Sequence, residues 1–334
     1  MQDVQPARAQ SAQGVPGAGA REILHIFRIS FIYSVKKYLV SPFIAFTLLA
    51  CGNAENGESQ PLVAAQPHGP MTRPVGVNYP WLKKQAPSQS ALAIRFTPPS
   101  ECQRVQVATG SWGEWLRWLP LAPLCTPARV FDGSLKDRQD VVAAVVNIDV
   151  GTQDLQQCAD AVIRLRAEYQ FNADPNKVHF HLTTGYDFRF SDFVNGQTFK
   201  VVNNEVRPAA RTPEAPTHAA LGRYLIPAFG YAGTLSLSRE LLPQPLSEVQ
   251  PGDVLIHGGS PGHAVLVVDV AENSTSHQKY MLLAQSYMPA QSIHVLNNIW
   301  GEPTLGVWLP VNPDDSAVTT PEWGFKATEL ARFE

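Results

Sequence analysis

A thiol, an imidazole and a carboxamide stand at Cys158, His263 and Gln285. These are the groups that thiol-based acyl transfer uses. A thiolate attacks a carbonyl carbon, an imidazole accepts and returns the proton, and a third polar group fixes the ring's orientation and tautomer. Cys158 lies in "DLQQCADAVIRLRAEY", where Asp154 stands three residues before Gln157. That capping pattern predicts a helix opening at Asp154 and running to about Tyr169. It puts the thiol near the helix N-terminus, where exposed N–H groups and the helix dipole favour a thiolate. Leu155, Cys158, Val162, Leu165 and Tyr169 also form one stripe, so a purely packing role for the cysteine stays open.

His263 follows a glycine-rich loop in "PGDVLIHGGSPGHAVLVVDV", at the mouth of an apolar strand expected over 263–270. This places the ring at a sheet rim, where solvent and substrate would meet. A hairpin loop centred near Thr275 returns the chain along 280–285. Tyr287 then falls opposite His263, with Gln285 one same-face step inward. The carboxamide oxygen of Gln285 can accept from the imidazole. A capped strand end for His263, and a buried amide serving the backbone for Gln285, are the plainer alternatives.

The positioning elements read as one α+β domain over 75–310. "DVVAAVVNIDV" (140–150) is a buried strand and "VHFHLT" (178–183) an alternating one. A helical pair over 218–241 is interrupted near Pro227 and Gly230, and a strand meander closes the domain. Residues 311–334 read as a C-terminal tail. In "GSWGEWLRWLPL", Trp112, Trp115, Leu116 and Leu119 fall at helical spacing, a core helix or, alternatively, a sugar-binding platform.

The N-terminus carries an address. "KKYLVSPFIAFTLLAC" sets two lysines, an apolar run and Leu-Leu-Ala before Cys51, the order of a secretory signal. The run is short for a membrane span. Cys51 resembles the lipidated cysteine of bacterial lipoprotein signals. Gly52 in place of aspartate then implies outer-membrane retention on the periplasmic face. Residues 1–50 are thus expected to be signal peptide with a gene-start extension, Val35 being the true start, and 51–74 a flexible tether. The whole chain has a net charge of −3. Neither that balance nor the charge pattern provides the basic stripe of a nucleic-acid binder. In an oxidising compartment Cys102 and Cys125 are expected to pair, leaving Cys158 alone.

"PGDVLIHGG…PGHAVLVVDV" resembles the signature of NlpC-type cell-wall cysteine peptidases and amidases of the papain-like superfamily. The resemblance implies a Cys-bearing helix packed on an antiparallel sheet, with Cys158 as nucleophile, His263 as base and Gln285 as orienting residue. Gln157-Cys158-Ala159-Asp160 departs from that family's Asp-Cys-Ser/Gly-Gly. About a hundred residues separate cysteine from histidine, which an inserted lobe over 172–250 would explain. "RYLIPAFGYAGTLSL", "GHAVLVVDV" and "LLAQSYMPAQ" further resemble a bacterial lipoprotein family built on a domain of unknown function. The expected reaction is hydrolysis of a cell-wall (peptidoglycan) peptide amide, without a cofactor. Backbone N–H groups with Gln156 or Gln157 would hold the oxyanion, and Arg189 and Arg223 are candidates for a substrate carboxylate. One rival reading is a non-catalytic envelope binder whose Tyr186, Phe188, Phe190 and Phe193 line a peptide or glycan groove. Another is a metal site on His179 and His181, which share a strand face.

Overall fold

The computed structural model describes residues 71–334. The expectations for residues 1–50, the lipidation of Cys51 and most of the tether lie outside the described residues. Among the described residues no helix is long and apolar enough to cross a membrane.

The architecture is α+β. Short α1 (Leu92–Arg95), strand β1 (Cys102–Arg104) and α2 (Trp112–Arg117) precede β2 (Val142–Val145) and the sixteen-residue α3 (Cys158–Ala173). The lobe follows: β3 (His179–His181), β4 (Asp187–Arg189), α4 (Phe190–Val194), β5 (Gln197–Val202), β6 (Glu205–Ala210), α5 (His218–Tyr231) and α6 (Thr234–Glu240). The chain then runs through β7 (Leu242–Pro243), β8 (Val254–His257), β9 (His263–Asn273), β10 (Lys279–Gln285), β11 (His294–Leu296) and β12 (Leu309–Val311). It ends in β13 (Ala317–Thr320), β14 (Trp323–Lys326) and β15 (Leu330–Arg332).

Nine strands form the central sheet in the order β2-β11-β10-β9-β8-β15-β7, with β1 added to β9 and β12 to β10. All these pairings are antiparallel. β9 is its axis, apolar and buried because both faces are covered. Ala264, Leu266 and Val268 point into the core shared with α2 and α3, whereas Val265 and Val267 point into a second core closed by Phe325 and Leu330. Register shifts between Leu282 and Leu283, leaving Val268 as an extra residue. The bulge turns Asp269 towards α2, where Arg104 and Arg117 reach it at 2.6 and 2.9 Å.

The Pro-Gly-Asp turn has a structural role. Gly252 adopts φ +101°, and a Cβ there would lie 2.4 Å from the Trp112 ring. Asp253 accepts two hydrogen bonds from Arg332 on β15, at 2.5 and 2.9 Å. Trp112, Trp115, Leu116 and Leu119 are all buried in the core below this turn. Ser111 caps their helix by accepting from the Glu114 N–H.

Two expectations change here. Residues 311–334 are not a tail: β15 sits inside the central sheet between β8 and β7, and β13 with β14 forms a hairpin over its second face. The Cys102–Cys125 pair is not formed, since Cys102 is a free thiol on β1 opposite Asn273. The lobe between α3 and β8 has a core of its own. Phe188, Phe190 and Phe193 surround Tyr224, whose hydroxyl donates to the Phe188 carbonyl at 2.6 Å.

Candidate functional site

Cys158 is the first residue of α3, preceded by Gln157 as N-cap, so the helix begins later than the Asp154 start that the sequence suggested. Asp160, at the third helical position, accepts the Gln157 N–H at 3.0 Å. Asp154 still holds this end in place, accepting from Gln157 Nε2 at 3.0 Å and from the Ala290 N–H at 2.6 Å. Ser286 Oγ donates to the Gln156 carbonyl at 2.9 Å. These contacts fasten the helix start to the loop that leaves β10.

The sulfur therefore sits where β10 has ended and β9 has lost that neighbour. The Ala264 N–H, one residue beyond His263, joins the N–H groups of Cys158 and Ala159 in favouring its thiolate. Burial outweighs them and raises the thiol pKa, and Asp160 adds to the rise. Burial pushes Asp160 itself up to about 8, so at neutral pH it is largely protonated.

His263 Nε2 lies 2.9 Å from Gln285 Oε1. An amide oxygen only accepts, so Nε2 carries the hydrogen and the lone pair resides on Nδ1 in the neutral ring. The Tyr287 ring lies 4.9 Å from the imidazole, Trp323 5.2 Å and Phe325 6.0 Å, centre to centre. The rim expectation is thereby corrected: the ring is 2% exposed, under a cover of aromatic side chains. Cys158 is 8% exposed. Burial lowers the imidazole pKa to about 4, the Lys136 charge adding to the fall and the Gln285 hydrogen bond opposing it.

Gln285 is held on its other side. Its Nε2 donates to Glu322 Oε2 at 2.6 Å, and Glu322 Oε1 takes the Lys136 ammonium at 2.7 Å. The Lys136 Nζ also lies 5.4 Å from the centre of the Tyr287 ring. His294 stands opposite Gln285 on β11, fully buried, its Nδ1 2.9 Å from the Ser292 carbonyl. Its Nε2 has no protein partner. Burial lowers its pKa to about 4 as well.

Thus the fold brings Gln285 and Tyr287 to His263, and sets Cys158 beside the backbone of the next residue. The other candidates lie elsewhere. Gln156 is buried with its Oε1 3.4 Å from Arg164 Nη1, turned along α3, and Gln157 is engaged with Asp154. The Gln157 carboxamide is thereby occupied, whereas the buried Gln156 Nε2 has no hydrogen-bond partner among the described residues and keeps its N–H donors. Arg189 pairs with Asp187 at 2.5 Å and Arg223 with Glu214, both in the lobe and neither touching His263 or Gln285. Phe188, Phe190 and Phe193 are buried in the lobe core, and Tyr186 is partly buried against it. His179 and His181 share a face, 5.9 Å apart, but each is engaged by a carboxylate, Asp187 at 2.9 Å and Glu240 at 3.2 Å. Both border a cavity of about 450 Å³ between α3, β3 and α6. No group of three or more His, Cys, Asp or Glu suited to a metal occurs among the described residues.

Sequence reasoning missed Glu322, Trp323, Lys136 and His294. Only His294 carried a signal, as a histidine inside the apolar run "IHVL".

Residues 92–332 match a family described as Domain of unknown function (4846). The chain belongs to that family. The match spans β1 to β15 and includes every group placed around His263. No curated protein and no solved structure matches the chain.

Proposed function

We propose that this member of the family is a papain-like cysteine amidase or peptidase, with Cys158 as nucleophile, His263 as base and Gln285 as orienting residue. The observation that carries the reading is the His263 Nε2–Gln285 Oε1 bond at 2.9 Å, made on the strand end whose next N–H serves the Cys158 sulfur. With the imidazole neutral and its lone pair on Nδ1, the base is ready at neutral pH. The thiol is also neutral at rest, so deprotonation accompanies attack.

In the first step the Cys158 proton passes to His263 Nδ1 while sulfur bonds to the amide carbonyl carbon. The Cys158 and Ala159 N–H groups at the start of α3, with the unpartnered Gln156 Nε2, supply the donors for the oxyanion. The C–N bond then breaks as His263 returns the proton to the leaving amine. Water, deprotonated by the same ring, adds to the thioester and releases the acid and the thiol. The resemblance to cell-wall hydrolases suggests a peptidoglycan peptide as substrate, and the leader sequence a lipid anchor at Cys51 on the periplasmic face of the outer membrane.

The closure of both groups favours a second reading, a non-catalytic envelope binder in which the thiol and imidazole serve packing. Peptidoglycan digestion by wild type and Cys158→Ala separates the two. Release of new amine termini by wild type, falling at least a hundredfold in the variant, is expected. Equal release by both proteins eliminates a thiol mechanism, and no release by wild type favours the binder.

A further inference from the structure

We infer that Glu322, delivered by the turn between β13 and β14, is the positioning residue that selects the His263 tautomer through Gln285. A carboxylate only accepts hydrogen bonds, and both Glu322 oxygens are engaged, one by Gln285 Nε2 at 2.6 Å and the other by Lys136 Nζ at 2.7 Å. The Gln285 NH₂ must therefore face Glu322, and its oxygen must face His263. That oxygen requires a hydrogen on Nε2, so the lone pair appears on Nδ1. The ion pair is enclosed, with the Lys136 and Glu322 side chains 6% and 9% exposed, so water does not compete strongly for either oxygen. Lys136 supplies only donors. Without Glu322 it would attract the carboxamide oxygen, turn the amide over and present NH₂ to the imidazole. The ring would then hold its hydrogen on Nδ1 and lose the lone pair there.

The structural inference stands on the hydrogen-bond chain alone; its catalytic meaning rests on the role of His263 proposed above. The test is nitrogen-15 NMR of the histidine side chains in the folded chain at pH 7, for wild type, Glu322→Ala and Lys136→Met, with His263→Gln to assign the resonance. Wild type is expected to show a protonated Nε2 and an unprotonated Nδ1. Glu322→Ala should reverse them, and Lys136→Met, which keeps the carboxylate, should retain the wild-type pattern. A wild-type ring protonated on Nδ1 overturns the inference even if Glu322→Ala fails to fold. So does an unchanged tautomer in a folded Glu322→Ala. Should the tautomer reverse while thiol-dependent turnover persists undiminished, Glu322 still sets the ring, and the catalytic role of His263 is what falls.

Discussion

Below about pH 6.5 two buried imidazoles should draw down the stability of this protein, and the size of each contribution follows from its surroundings. His263 and His294 are both held near pKa 4 against an ordinary 6.5, chiefly by burial. In the unfolded chain each would take up a proton below about pH 6.5, whereas the folded chain refuses it until about pH 4. The unfolded state thus binds more protons in that window, and stability falls as pH falls. Each ring contributes about 1.4 kcal/mol per pH unit, or about 3 kcal/mol across the window. Asp160 works in the opposite direction, because its folded pKa is raised to about 8 and the native state holds a proton that the unfolded state has lost. The wild-type curve alone therefore reports a difference among these groups. Comparison with variants isolates one ring. Urea unfolding of wild type, His263→Gln and His294→Gln from pH 7.5 to 4.5 should give a shallower acid loss for each variant, by about 1.4 kcal/mol per pH unit below pH 6. Parallel wild-type and His263→Gln curves would refute the claim that the imidazole is buried neutral.

Two further substitutions probe the frame around the site. Gly252→Ala forces a side chain into a positive-φ turn and against Trp112, and should cost about 2–5 kcal/mol by urea melt at pH 7.5. Asp269→Ala leaves Arg104 and Arg117 facing a buried void, with an expected loss of about 3–5 kcal/mol in the same assay. A loss below about 1 kcal/mol would mean that the arginines find other acceptors.

The sequence was most informative where local pattern and tertiary role coincide. β8, β9 and β10 announce themselves as apolar runs between turn signals, and a symmetric count around Thr275 was enough to align Gln285 and Tyr287 with His263. The bulge at Val268 does not spoil that count, because it shifts the register on the loop side only. The start of α3 was misplaced because Asp154 has the chemistry of a cap but spends it on Ala290, a contact across 136 residues. Glu322, Trp323 and Lys136 were illegible for a related reason. Strands of three or four residues carry too little periodicity to be seen, and an ion pair between positions 136 and 322 leaves no local trace. The rival reading of the lobe phenylalanines as a groove stays open in the sequence because aromatic spacing alone does not reveal whether a neighbour such as Tyr224 covers them.

The position of β15 sets an order of assembly. β8, which leads into the loop before His263, needs Leu330 and Ala331 to complete one of its edges. During synthesis at roughly 5–20 residues per second, that edge must wait until β15, about seventy residues further on, has emerged. Through that interval an apolar strand stands open, and whatever receives the growing chain has to shield it from other strands.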